Sequence, residues 1–96
     1  MFDKERYLSR GVQENLSIPV QITLWRMIEK VTVEKDYLQI FELSQLPNNQ
    51  LRILHKQELP EYTSELSTNG NLPKEKLKIY VIDDGEYSTM LLADEY

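Results

Sequence analysis

The sequence lacks cysteine and holds one histidine and three glycines in 96 residues. The absence of cysteine excludes thiol nucleophiles, disulfides, iron–sulfur clusters and thiolate zinc sites. A single histidine excludes any site that requires two. Three glycines are too few for glycine-rich phosphate loops, and the chain has neither a P-loop nor a Rossmann glycine pattern. We therefore expect no cofactor.

Basic residues are in the minority, and long hydrophobic runs are missing. Eleven Lys and Arg against sixteen Asp and Glu give a formal charge of −5, which repels phosphate backbones. No apolar run approaches the roughly 18–20 residues of a membrane span, and the charged residues 1–6 precede no apolar signal segment. We expect neither nucleic acid nor membrane as a partner, and a cytoplasmic location.

The remaining composition is that of one globular domain. Hydrophobic residues make up 41% of the chain and charged residues 28%, which is ordinary for a folded protein. A length of 96 residues leaves room for one core. We expect a single domain over residues 1–96.

One amphipathic helix is predicted after Ser17-Ile18-Pro19, because proline is tolerated at the first helical positions. The apolar face has helical spacing and consists of Val20, Leu24, Met27, Ile28 and Val31. Trp25 lies at the edge of this stripe. We interpret it as a core aromatic packed on a sheet, with a binding platform as the alternative.

The other segments are typical of strands. Strands are predicted at residues 6–12, 37–43, 51–62, 77–82 and from 87 to about 93, although the last segment also suits a short helix capped by Ser88. Residues 60–76 are expected to be irregular, with 61–66 as a candidate extension of a strand. The order is β-α-β-β-β-β: an α+β fold with a mostly antiparallel sheet of four to five strands and one helix on one face.

Two hairpins follow from the turn residues. A two-residue or four-residue loop centred on Asn48-Asn49 places Glu42 opposite His55. A turn centred on Asp84-Gly85 places Ile79 opposite Met90. The first register pairs a carboxylate with the histidine, and the second makes one face apolar, although it also sets Asp83 opposite Glu86.

The first hairpin suggests a site. His55 lies on the apolar face of its strand with Leu51 and Ile53, and we interpret it as a half-buried structural histidine held by Glu42. Such a carboxylate is expected to raise the pKa of His55. The alternative is a general base oriented by Glu42, but no serine or threonine is placed as its nucleophile.

Carboxylates and tyrosines supply the remaining candidates. The acidic residues at two loop ends, which a hard cation such as Mg²⁺ can use as ligands, are Glu58, Glu61, Asp83, Asp84 and Glu86. Turn chemistry is the favoured explanation of these carboxylates. Six tyrosines are many for this length, and those in the second half, such as Tyr62, suit a protein interface.

Several blocks of the sequence resemble the domain-of-unknown-function family 960, a group of small proteins of low-GC Gram-positive bacteria. The blocks are residues 1–7, 10–12, 24–25, 36–43, 55–62 and 81–93, and the last two, HKQELPEY and VIDDGEYSTMLLA, are distinctive. The resemblance implies a stand-alone cytoplasmic protein. It supplies no activity and no catalytic residues.

The sequence therefore favours a protein-interaction or regulatory module without enzymatic activity, binding an unknown protein partner or itself. One alternative is a small-ligand-binding domain with its pocket between helix and sheet, bordered by Trp25. A metal-dependent hydrolase that uses the carboxylates is the third hypothesis.

Overall fold

The sheet has six strands and carries two helices on one face, as a computed structural model of residues 1–96 shows. The elements are β1 Glu5–Leu8, α1 Arg10–Asn15, α2 Ile18–Glu29, β2 Leu38–Leu46, β3 Gln50–Gln57, β4 Tyr62–Asn69, β5 Lys76–Asp83, β6 Tyr87–Leu92 and a 3₁₀ turn Ala93–Glu95. The order across the sheet is β1-β6-β5-β2-β3-β4. Only β1 and β6 pair in parallel. The α+β class is confirmed, but four to five strands and one helix become six strands and two helices.

The predicted helix is α2, and its start is confirmed. The Ser17 hydroxyl accepts a hydrogen bond from the Val20 N–H at 3.5 Å, and Pro19 occupies an early position where no N–H is needed. Its apolar face lies against the sheet. Met90 and the inward residues of β2, β3 and β5 complete a core of 15 buried residues.

The first predicted strand is wrong beyond Leu8. Ser9 caps a helix instead, because its hydroxyl accepts from the Val12 N–H at 3.1 Å. Val12 and Leu16 are four residues apart, so one turn of helix directs both into the core. Gly11 lies in α1, and its N–H donates to Glu95 Oε2 at 3.0 Å.

The hairpin of β2 and β3 forms with a different register. Residues 47–49 make a three-residue loop, with Asn48 and Asn49 in the left-handed region at φ 62° and 59°. A loop with an odd number of residues pairs odd-numbered residues with odd-numbered ones and even with even. Phe41 therefore faces His55, and Glu42 faces Leu54. The predicted opposition of Glu42 and His55 is wrong.

The second hairpin is displaced by two residues from its prediction. Its turn is centred on Gly85 and Glu86, so Val81 faces Met90 and Asp83 faces Ser88. A register shift of two residues leaves every side chain on the same face of the sheet. Ile79, Val81 and Met90 consequently still point into the core, and the strand interpretation of 87–92 is confirmed.

Residues 60–76 are more regular than expected, because they contain β4. This strand pairs with β3 over eight consecutive positions and forms one edge of the sheet. Apart from Tyr62 at its start, it carries a single apolar residue, Leu66, which is why the apolar alternation expected of a strand is absent.

Candidate functional site

His55 is fully buried in the core beneath the helices. Its ring stacks on Phe41, with centroids 4.3 Å apart and an interplanar angle of 17°. Its Nε2 lies 2.6 Å from Gln39 Oε1. The partners of this histidine are thus an aromatic ring and a neutral amide.

The tautomer of His55 follows from Gln39. The amide nitrogen of Gln39 donates to the Asp36 carbonyl at 2.8 Å and to Gln57 Oε1 at 2.7 Å, so Gln39 Oε1 is the acceptor. His55 Nε2 therefore carries the proton and donates it, while Nδ1 is buried without a partner. Burial lowers the pKa of His55 to about 4, which keeps the ring neutral at neutral pH.

Gln57 extends the contacts of Gln39 and His55 into two loops. Its amide nitrogen donates to the carbonyls of Glu34 and Pro60, at 2.8 and 2.7 Å. Its Oε1 also accepts from the Asp36 N–H at 3.1 Å. We call Gln39, His55 and Gln57 the amide network. It fixes the loops before β2 and after β3 to the core, which is a structural role.

Glu42 lies on the other face of the sheet. Its Oε2 is 2.8 Å from Lys56 Nζ, and this contact lowers the pKa of Glu42. The predicted ion pair with His55 is therefore not formed. The pKa of His55 moves down and not up, because burial acts on it and no carboxylate contacts it.

Glu42→Gln is expected to leave the pKa of His55 unchanged within about 0.3 unit, since the sheet separates the two side chains. The titration of the imidazole C–H resonances by NMR measures this. Lys56→Met, which removes the actual partner of Glu42, is the matched control and should also leave His55 unmoved. A shift of the His55 pKa in Glu42→Gln, but not in Lys56→Met, would instead support the predicted contact between Glu42 and His55.

The acidic residues of the β5–β6 turn build the turn itself. Asp83 is buried and accepts hydrogen bonds from the Phe2 N–H at 2.6 Å and the Gly85 N–H at 2.7 Å. Burial acts to raise the pKa of Asp83, but these hydrogen bonds outweigh it and the pKa is lowered. Asp84 Oδ1 accepts from the backbone N–H groups of Glu86 and Tyr87, both at 3.0 Å, which lowers the pKa of Asp84.

The acidic residues of the β3–β4 loop lie apart from those of the β5–β6 turn. Glu58 and Glu61 are exposed in the β3–β4 loop and line an open depression of about 480 Å³ with Lys56 and Thr63. No three acidic or histidine side chains come together in the arrangement of a metal site. Tyr62 is half-buried at the start of β4, with its ring edge-on to His55 at 5.7 Å.

Trp25 is buried in the core, as its interpretation as a core aromatic predicted. The Arg6 guanidinium covers the ring at 4.6 Å and also donates to the Phe2 carbonyl at 3.0 Å. Core side chains fill the space between α2 and the sheet. Five surface depressions of about 400 to 510 Å³ are present, and Trp25 lines none of them.

The sheet face opposite the helices is a feature that the sequence reasoning missed. Its apolar members follow from the strand registers and include Tyr7, Leu38, Ile40, Leu54, Tyr80, Ile82, Tyr87 and Leu91. Tyr96 adds its ring by packing edge-on against Tyr80 at 5.6 Å. We call these nine residues the uncovered face. The sequence does contain a signal for this face: β5 and β6 carry apolar residues at both odd and even positions, and therefore on both faces of the sheet.

Charge is unequally distributed along the strands of this face. The end where β2 begins is bordered by Glu5, Glu58, Asp84 and Glu86, and by Lys4, whose Nζ donates to the Gly85 carbonyl. The opposite end carries Arg52, Lys76 and Lys78. Lys76 and Lys78 form no salt bridge, although Glu42 lies directly opposite Lys78 and also interacts with Lys76, and Arg52 is bound by Glu65.

The fold and this surface define a class: a small α+β domain with a one-sided six-stranded sheet. No helix is long and apolar enough to cross a membrane. Residues 5–95 match the family described as Staphylococcal protein of unknown function (DUF960), and the chain belongs to that family. The resemblance read from the sequence blocks is confirmed.

A solved structure shares the fold. It is a crystal structure of a protein of unknown function from Enterococcus faecalis, with a TM-score of 0.82 and 24% identity, covering 98% of this chain and 92% of that chain. This likeness shows the architecture alone. Among curated proteins, the comparison found no match.

Proposed function

We propose that the chain is an interaction module without enzymatic activity, and that it binds a second copy of itself through the uncovered face. One observation carries this proposal: four of the six tyrosines lie on the face that no helix covers. Three of them remain substantially exposed, Tyr7 at 49%, Tyr87 at 40% and Tyr96 at 78%.

Tyrosines in this arrangement are typical of a binding surface. A tyrosine offers a large, rigid apolar ring with a polar end, and such residues are enriched at interfaces. Contiguous apolar surface on a small protein marks interaction sites more often than scattered apolar residues do. Ile40, Ile82 and Leu91 connect the rings of the uncovered face into one patch.

The charges around the patch favour a second copy as the occupant. A two-fold axis that lies in the interface, perpendicular to the strands, would stack the two sheets face to face with their strands running in opposite directions. The cationic end with Lys76 and Lys78 would then meet the acidic end with Glu5 and Glu86 of the other copy, twice over. Complementary charges of this kind fix orientation and select the partner.

The area of the sheet is sufficient for such a dimer. Six strands about 4.8 Å apart and about 26 Å long give a face of roughly 600 Å² on each copy. Two copies would bury about 1,200 Å², the lower bound of a specific interface. We therefore expect a dissociation constant in the micromolar range.

The position of His55 supports a role without catalysis. The ring is fully buried and neutral, and its Nε2 proton is held by Gln39, so a substrate on the surface cannot reach it. A general base requires contact with the proton that it removes.

Sedimentation equilibrium tests the proposal directly. Wild-type protein is expected at twice the 11.4 kDa of one chain at high concentration. Ile40→Glu, on the β2 part of the uncovered face, should weaken the dimer by about a hundredfold or more, because a buried unpaired carboxylate opposes association. Ile22→Glu is the matched control, since Ile22 is 45% exposed on α2, away from the face.

The proposal fails if wild-type protein stays monomeric at about 0.5 mM, a concentration well above the expected dissociation constant. It also fails if Ile22→Glu and Ile40→Glu dissociate the dimer equally. Far-UV circular dichroism confirms that both variants remain folded.

A charge exchange tests the orientation of the two copies. Lys78→Glu and Glu86→Lys should each weaken the dimer by about threefold to tenfold, and an equimolar mixture should recover wild-type association. The mixture restores opposite charges at both ends of the face. A mixture no tighter than the separate variants would exclude the antiparallel stack.

A further inference from the structure

The two edges of the sheet differ in their protection. The edge strand β1 has four residues and includes the charged Glu5 and Arg6. The edge strand β4 has eight residues, pairs with β3 without a bulge, and contains neither lysine nor proline. Short strands, charges, prolines and bulges are the means by which proteins block pairing at an edge. The fold protects β1 and leaves β4 open.

The outer side of β4 has no hydrogen-bond partner within the chain. β4 neighbours β3 alone, and no hydrogen bond from a turn, loop or cap uses its backbone. Alternate N–H and C=O groups along Tyr62–Asn69 therefore point outward, ready to pair with an extended segment.

The charges near β4 identify the chemistry of the segment. Between Lys56 and Lys74 the chain contains no basic residue but three acidic ones, Glu58, Glu61 and Glu65. Glu65 is bound by Arg52 at 2.9 Å, whereas Glu58 and Glu61 form no salt bridge. An extended segment that carries lysine or arginine is complementary to this edge.

Apolar contacts are available beside the same edge. Leu66 lies on the helix side of β4 and is 39% exposed, so the helix layer does not extend over this strand. Leu59, in the loop before β4, is 80% exposed. An added strand can place alternate side chains against Leu66 while its backbone pairs with β4.

We infer that β4 accepts an extended cationic segment of another protein as a seventh strand of the sheet. This inference goes beyond the proposed dimer, because the edge of β4 and the uncovered face are different surfaces. The edge supplies affinity through backbone hydrogen bonds, and the carboxylates at one end supply the preference for basic side chains.

Two blocked eight-residue peptides test the inference with the full chain. One alternates valine with lysine, and the other alternates valine with glutamate. The lysine peptide is expected to bind about tenfold more tightly or better, and to slow amide hydrogen exchange in residues 62–69. Fluorescence anisotropy measures the affinity, and NMR locates the protected amides.

A lysine placed on the edge should weaken this binding. Thr63→Lys puts a cation on exposed β4 and is expected to weaken the lysine peptide by about tenfold or more. Thr32→Lys makes the same change at an exposed position outside the sheet and should stay within about twofold of wild type.

Three results would overturn the inference. The first is that neither peptide binds or protects β4 at millimolar concentration. The second is an equal response of Thr63→Lys and Thr32→Lys. The third is protection of residues 62–69 that rises with protein concentration alone, which assigns the edge to a second copy. Measurement in a Leu91→Glu variant separates these outcomes from failure of the proposed dimer, because Leu91 lies on β6 of the uncovered face, away from Glu58, Glu61 and Thr63, and peptide binding at β4 should persist there.

Discussion

Gln39→Leu is expected to lower the free energy of unfolding by about 2–4 kcal/mol, although leucine fills a similar volume. Gln39 is fully buried and accepts from His55 Nε2 while donating to Gln57 Oε1 and the Asp36 carbonyl. Leucine leaves the imidazole N–H and the Asp36 carbonyl without this partner. A change of tautomer gives no relief, because Nδ1 has no partner either.

Urea unfolding at pH 7 measures this loss. Gln13→Leu is the matched control: Gln13 is exposed on α1, and its replacement should change stability by no more than about 0.5 kcal/mol. A loss below about 1 kcal/mol in Gln39→Leu would mean that the amide network contributes little to stability.

Acidification is expected to destabilise the protein through His55. The pKa is about 4 in the folded protein against 6.5 for an unperturbed histidine. Between these values the unfolded chain binds a proton that the folded chain does not, so stability is complete above about pH 6.5 and falls as the pH decreases. The loss amounts to about 2 kcal/mol at pH 5 and approaches about 3 kcal/mol near pH 4.

Urea unfolding at a series of pH values between 7 and 5 measures this slope. His55→Gln removes the titrating group and should flatten the slope, whatever its effect on stability at pH 7. Glu42 and Asp83, whose pKa values are lowered, contribute a further loss mainly below about pH 4.5 and do not obscure the histidine window. Imidazole resonances that titrate near pH 6.5 would contradict the expectation.

The two proposed surfaces bind through different groups, the uncovered face through side chains and the edge of β4 through its backbone. The uncovered face uses side chains of five strands, and its charged ends determine how a second copy lies. The edge of β4 uses the backbone, so its sequence needs little more than the absence of lysine and proline. A dimer through the face leaves the edge of β4 available, and a partner strand can therefore join either form.

Capping residues and apolar spacing within a few residues of sequence correctly predicted several helices and strands. The cap at Ser17 and the helical spacing from Val20 onward predicted α2, and alternation predicted β5 with its inward residues. His55 was placed on the inner face of β3 by its spacing from Leu51 and Ile53, and the structure confirms this position. α1 escaped prediction because Leu8 and Val12 fit an alternating strand as well as a helix.

The partner of His55 could not be predicted reliably, because it depends on the length of one loop. A three-residue loop pairs His55 with Phe41, whereas a loop of two or four residues pairs it with Glu42. The choice rests on the left-handed conformations of Asn48 and Asn49 and on packing of Phe41 into the core. One residue of register therefore turned an expected ion pair with a raised pKa into a buried neutral ring with a lowered one.

The sequence by itself determined an acidic α+β chain without cysteine chemistry, the helix α2, most of the strands and the inner position of their apolar residues. These features depend on side-chain spacing and on capping within a few residues. The tertiary structure alone decided the parallel pairing of β1 with β6, the register around His55, and the gathering of four tyrosines on the uncovered face. Each of these depends on contacts between distant segments, whose energies are set by packing of the whole sheet and not by any local pattern.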